Sequence, residues 1–408
     1  MPASGSVRSE VGNLPALDGL RGVAVLWVIV FHAFVLRKDL GDPWIGIAAS
    51  SSWLGPVIGS GYLGVDLFFL LSGFLLALPW FVRAARGQPS PSAREFYARR
   101  ARRILPAYYA QLLLLFAVVL PLLRGKDYWR TDLYVYLYNF VAHATFMHNT
   151  TPLSSGSMQA NGALWTLAVE AQFYLLVPFV APLVVRWPRR ALAVSFALAI
   201  AWRLATRDGL GPLVALEMAL GRPWGWTEDV VRYLLLHQLP SYCGHFVLGM
   251  VLGGAWLSWR EGEHSRAARR ALDAGLVLAF GVLYWTIAID GRVAGSLTWA
   301  IPPLCLGLLL WWSALGGHAA QVLARGPLAF AGRVSYSAYL VHLPVLLLWN
   351  RDAAALPPWL SLPLYLAAVF ALSWLSWRFV ERPFLRRRSA EGPPRVPVND
   401  EMPLANPP

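Results

Sequence analysis

Cysteine and lysine are nearly absent from the 408 residues. Cysteine occurs at Cys243 and Cys305 and lysine at Lys38 and Lys126. Two cysteines in apolar surroundings supply neither a disulfide framework nor enough thiolates for a metal site, so no metal is expected. Charge of either sign is also scarce, at 14% of residues against 57% hydrophobic. A chain with so little charge and a mean hydropathy of +0.49 belongs in a bilayer rather than in water around one core. Nucleotide and hydrolase signatures are missing as well: there is no Walker loop, no His-Glu-x-x-His and no Gly-x-Ser-x-Gly elbow.

What is present is arginine. It accounts for 33 of the 35 basic residues and gives a formal charge of +13. In a soluble chain that balance would suggest nucleic acid. In a chain this apolar it points to cytoplasmic loops that set topology, with any anionic ligand bound on that side, and nucleic acid is not an expected partner.

Apolar runs near 14–36, 61–82, 104–123, 163–185, 190–206, 232–257, 273–289, 296–314, 328–350 and 360–380 predict an all-α, polytopic membrane bundle of about ten transmembrane helices. The aromatic-rich stretch 133–147 is shorter and reads as interfacial or re-entrant. Met1 to Asn13 lacks the pattern of a cleaved signal, so the first span is expected to stay. Arg83, Arg86, Arg94, Arg99, Arg100, Arg102, Arg103, Arg186, Arg189, Arg190, Arg260, Arg266, Arg269 and Arg270 share one side in this count, with Arg386, Arg387 and Arg388 of the tail. The other side carries scattered charges such as Arg37 and Arg124, which puts both termini in the cytoplasm. One transmembrane domain is expected over 1–388, followed by a disordered, Pro-rich tail over 389–408.

Ionisable groups inside a span are costly and make the best site candidates in a membrane protein. Arg21 and His32 lie eleven residues, three turns, apart on the first helix and share a face. Counting from the helix starts places Asp66, Glu170 and His342 at the outer depth of His32. A neutral imidazole can take a proton from an attacking hydroxyl while a carboxylate fixes its tautomer, and His32 with Asp66 or Glu170 suits that task. The alternative is that each is a hydrogen-bonded clamp between helices. Arg100 and Arg103 begin the third span within a run of four arginines, whose guanidiniums suit phosphate or simply anchor the helix to anionic lipid.

Six segments taken together resemble the acyltransferase 3 family of integral membrane acyltransferases, which O-acylate bacterial surface glycans, nodulation factors and some antibiotics. They are Leu17 to Gly22 followed by His32, Gly64 to Phe74, Arg100 to Pro106, Trp165 to Tyr174, Ser335 to His342, which includes Tyr336, and Glu381-Arg382-Pro383. Thr166 stands where the family usually has serine. The resemblance implies that His32 takes part in acyl transfer and that Arg21, Arg100 and Arg103 engage acyl-coenzyme A, with acetyl-coenzyme A the expected donor. It implies a carbohydrate, glycolipid or similar hydroxyl acceptor, with no permanently bound cofactor. Arginine over lysine and abundant Ala, Gly, Pro and Trp suggest a GC-rich bacterial genome, so a multi-pass protein of the bacterial inner membrane is expected. Two other classes stay open: a proton-coupled transporter or flippase using the same polar residues, and a non-catalytic assembly protein.

Overall fold

The structure, a computed structural model, describes residues 14–37, 42–126, 128, 133–150, 161–221, 227–260, 262, 265–289, 297–315, 318–352 and 357–385. The whole of the Pro-rich tail expected over 389–408, and the tail arginines Arg386, Arg387 and Arg388, lie outside them. The described residues form helices and turns without a strand. In chain order the helices are α1 (Pro15–Arg37), α2 (Pro43–Ser50), α3 (Leu54–Gly59), α4 (Leu63–Ala85), α5 (Ala93–Leu114), α6 (Leu133–Ala144), α7 (Trp165–Arg186), α8 (Pro188–Asp208), α9 (Gly211–Gly221), α10 (Glu228–Leu236), α11 (Leu239–Arg260), α12 (Arg266–Ile289), α13 (Ile301–Leu315), α14 (His318–Leu323), α15 (Gly326–Arg333), α16 (Ser335–Asp352) and α17 (Pro358–Ser376).

Among the described residues, six segments are long and apolar enough to cross a membrane: Pro15–Arg37, Leu63–Ala85, Ala93–Arg124, Gly162–Arg186, Arg266–Ala288 and Trp359–Leu385. The other four expected spans are helical but differ from simple crossings. The run at 232–257 is divided into α10 and α11 at His237 and Gln238, and the run at 328–350 into α15 and α16 at Val334. Helix α13 has 15 residues, about 22 Å against a hydrocarbon core of about 30 Å. Helix α8, at 190–206, carries Arg189, Arg190, Arg203 and Arg207, which lower its apolarity. Helix α6, in the aromatic stretch, has 12 residues, about 18 Å and too short to cross.

Helix α4 is central because it is apolar on every face, and a helix of that kind must be covered all round. It packs against α1, α7, α11 and α13. Against α11 the two backbones touch: a Cβ on Gly73 would sit 2.0 Å from the Phe246 carbonyl oxygen, and one on Gly249 would sit 2.1 Å from that of Leu70. Small residues permit this approach, and van der Waals contact of this kind is a main source of helix association in lipid. Gly249→Val is therefore expected to abolish the monodisperse folded protein in size-exclusion chromatography. Gly281→Ala, where a Cβ meets nothing within 4 Å, should leave it intact.

The far end of α1 is tied down by a residue that the charge count assigns to a loop. Arg37 is 4% exposed. It pairs with Asp42 at 3.2 Å and donates to Asn350 Oδ1 at 2.9 Å and Ser361 Oγ at 2.6 Å. A buried guanidinium persists when an opposite charge and hydrogen bonds offset its desolvation in this way, here through its two terminal nitrogens while its Nε has no partner. It links α1 to α2, α16 and α17. At the opposite end of the bundle, Ser337 of α16 donates to the buried carboxylate of Glu381, in the π-helical turn that ends α17.

Candidate active site

A cavity opens between α1, α4, α5, α7 and α16. Its polar end is built from four of these helices. Arg21 enters from α1, Arg100 and Arg103 from α5, Glu170 and Tyr174 from α7, and Ser72 from α4. Helix α5 can start here because Ser92 caps it, its hydroxyl accepting from the Glu95 backbone N–H at 3.5 Å. Arg100 and Arg103 then fall three residues apart on one face.

Glu170 accepts a hydrogen bond from Ser72 Oγ at 2.5 Å and another from the Tyr174 hydroxyl, both on the same oxygen. Tyr174 is one turn from Glu170 on α7, which makes the contact possible. Three guanidiniums thus face one carboxylate. Arg100 lies over the Phe96 ring at 6.0 Å, and its buried Nε has no hydrogen-bond partner. Among the described residues, neither Arg100 nor Arg103 has a carboxylate within ion-pair distance, while Arg21 has Asp18 at 3.7 Å. The excess positive charge and the unused donor suit a ligand with more than one phosphate charge.

The other end of the cavity is apolar, lined by Val65, Phe68, Phe69 and Tyr339. Tyr339 is held in place: its hydroxyl donates to the Ala163 carbonyl at 3.0 Å and accepts from Thr166 Oγ1 at 2.8 Å. His342 lies just beyond, its ring 5.5 Å from that of Tyr339, and His32 follows at 5.0 Å from His342. The tautomers follow from the carbonyls. His32 Nδ1 lies 2.9 Å from the Val28 carbonyl and His342 Nδ1 lies 2.8 Å from that of Tyr339. A carbonyl can only accept, so both Nδ1 atoms carry the proton. His342 Nε2 is then an acceptor, 3.3 Å from the shared Nδ1–H of His32. This leaves the lone pair of His32 Nε2 unused.

The structure therefore pairs His32 with His342 rather than with Asp66 or Glu170. The expected common depth fails because α4 and α7 start inside the bundle. Gly64 of α4 abuts the Ala24 carbonyl of α1, where a Cβ would lie 2.6 Å away, and Ala24 is eight residues, about 12 Å, short of His32. Glu170 lies deeper still, level with Ser72. Asp66 is not among the residues lining the cavity and meets His245 Nε2 at 3.5 Å. The His245 ring stacks on Trp299 at 5.9 Å, with Arg203 over the same indole at 5.0 Å. A continuous polar line through His32, Asp66, Glu170 and His342, as a proton-coupled transporter would use, is thus interrupted.

Tyr336 also lines the cavity, its hydroxyl donating to the Ile104 carbonyl at 3.0 Å. Ser72, Tyr174 and Tyr339 lie inside recognisable motifs without standing out in them as single residues. His245 was findable as a polar residue within an apolar run. Among the described residues no group of three or more potential metal ligands occurs.

A second histidine pair lies outside the spans, in the segment that covers the start of α7. His148 Nε2 donates to the Leu164 carbonyl at 2.9 Å, and its ring stacks on His143 at 4.2 Å with an angle of 10°. Burial pushes the His148 imidazole down to about 4, so it is neutral at pH 7. The charge that two stacked imidazoles could not share is absent.

A family model described as an acyltransferase domain matches residues 14–378. A peptidoglycan O-acetyltransferase of Listeria monocytogenes is 27% identical over 91% of this chain and 55% of its own length. An O-acetyltransferase of Staphylococcus aureus is 25% identical over 92% of this chain and 57% of its own. A Caenorhabditis elegans protein named regulator of hypoxia-inducible factor 1 is 24% identical over 91% and 79%. The chain thus spans about half the length of the bacterial O-acetyltransferases it matches. No solved structure matches it.

Proposed function

Because the chain belongs to the acyltransferase family whose domain model covers residues 14–378, we propose that it is a multi-pass membrane O-acyltransferase. It moves an acetyl group from acetyl-coenzyme A to a hydroxyl of a sugar, glycolipid or similar acceptor. The observation that carries this reading is a cavity whose phosphate-compatible end is separated from an imidazole with a free lone pair by three turns of α1. The name of the Listeria monocytogenes relative, a peptidoglycan O-acetyltransferase, supports a carbohydrate acceptor.

In this reading Arg21, Arg100 and Arg103 hold the phosphates of the donor, and the charge of Glu170 offsets part of the repulsion among the guanidiniums. The pantetheine arm runs along α4 past Ser72 and Phe69 towards His32. His32 Nε2 accepts the proton of the acceptor hydroxyl as its oxygen attacks the thioester carbonyl. The carbon–sulfur bond then breaks, the imidazolium returns its proton to the departing sulfur, and the products are an ester and a free thiol. His342 Nε2 accepts from His32 Nδ1–H and stabilises the imidazolium, the task that sequence reasoning gives to a carboxylate. The arginine distribution supports placing the arginine end and both termini in the cytoplasm of a bacterial inner membrane, where coenzyme A is made.

Purified protein incubated with labelled acetyl-coenzyme A and a cell-envelope extract is expected to move label into the saccharide or glycolipid fraction. If the donor neither binds nor loses its acetyl group, the donor reading is wrong and the acetyl source must be another activated ester.

A further inference from the structure

The cavity stops short of His32. Its lining includes Phe68 and Tyr339 but neither His32 nor His342. The rings of Phe68 and Tyr339 meet edge to face at 6.0 Å and an angle of 80°, across the line from the arginines to the histidine pair. The two leaves of this closure are unequal. Tyr339 is buried and tethered through its hydroxyl to Ala163 and Thr166. Phe68 has no polar tether, is only partly buried, and packs against both apolar clusters of the bundle. An aromatic ring at such a seam can swing by side-chain rotation alone, whereas Tyr339 would have to break two hydrogen bonds.

We infer that Phe68 is the specificity-determining residue of this site. It is the movable leaf of an aromatic gate that admits a two-carbon acyl group to His32 and blocks longer chains. The inference rests on the donor reading above and deepens it. The physical basis is steric. An acetyl thioester presents a group little wider than the arm that carries it. A butyryl group adds two methylenes, which must find room between Phe68 and Tyr339 in a region already lined by Val65 and Phe69. Close-packed interiors do not absorb such volume without rearrangement.

The test compares acetyl- and butyryl-coenzyme A as donors for the wild type, Phe68→Ala and Phe68→Leu. Binding of each thioester and transfer to envelope extract are measured separately. The wild type should bind both but transfer acetyl at least tenfold faster than butyryl. Phe68→Ala should raise the butyryl-to-acetyl transfer ratio about tenfold or more, with acetyl-coenzyme A still bound. Phe68→Leu, which keeps most of the packing volume, should raise it less and serves if the alanine variant does not fold. A change in general packing would lower both rates together and leave the ratio where it was. An unchanged ratio in folded variants that bind the donor overturns the gate, as does a wild type that already transfers butyryl as fast as acetyl. A wild type that binds neither thioester overturns the donor assignment itself, and that result is distinct from a failure of Phe68 alone.

Discussion

Replacing His32 by alanine is expected to lower acyl transfer by about 10² to 10⁴-fold, the usual range for a positioned general base. The protein should remain folded and the donor should bind nearly as before. The separation between the two effects is the informative part. His32 lies about three turns of α1 from Arg21, so its loss should reduce kcat without a matching rise in the donor KM. His342→Gln should cost less than His342→Ala, because the glutamine carbonyl can still accept from His32 Nδ1–H, whereas the methyl group leaves that proton with only the Val28 carbonyl at 2.9 Å. Steady-state kinetics over a range of donor concentrations checks all three. Undiminished transfer by His32→Ala would take the imidazole out of the reaction.

The second large effect is expected at the opposite end of the cavity. Arg100→Ala with Arg103→Ala should weaken acyl-coenzyme A binding by about 10²-fold or more, since a hydrogen bond to a charged group contributes about 1.5–3 kcal/mol. The effect should appear in KM, with kcat at saturating donor changed much less. Lysine is a poor substitute, because a point charge cannot reproduce the forked donors of Arg100, whose Nε is buried without a partner. Arg100→Lys should therefore recover only part of the affinity. If the double alanine variant bound the donor normally by isothermal titration, the phosphates would have to lie elsewhere and the arginines would be membrane anchors.

The two ends of the site were unequally legible in the sequence. Arg21, Arg100 and Arg103 could be grouped because they are fixed by register on two helices near one end of the bundle, and the structure places all three around one cavity. The partner of His32 could not be read in the same way. Counting residues from each helix start assumes that every span begins at the membrane surface. Helix α4 instead begins against Trp27 and Ala24, beneath the short helices α2 and α3, which shifts Asp66 about two turns away from His32. The same shortcut misplaces Glu170. His342 came out at the right level, beside His32, even though the apolar run at 328–350 is divided at Val334. Arg37 illustrates a further limit: a charge at the end of an apolar run reads as a loop residue, and only tertiary contacts reveal that it is a buried clamp.

Helix α1 contributes both Arg21 and His32, and it differs from most of its neighbours in one respect. Pro79, Pro106, Pro178, Pro182, Pro344 and Pro363 interrupt α4, α5, α7, α16 and α17. In α1 the only proline is Pro15, at the first position, where it does not disturb the helix. The stretch between the guanidinium and the imidazole is therefore a rigid ruler of about 16 Å. Surrounding helices can bend, but the distance from Arg21 to His32 is marked off along one unbroken rod. A one-residue insertion in that rod would rotate His32 by about 100° around the axis while lengthening the span by only about 1.5 Å. Direction, more than reach, is what the rod protects.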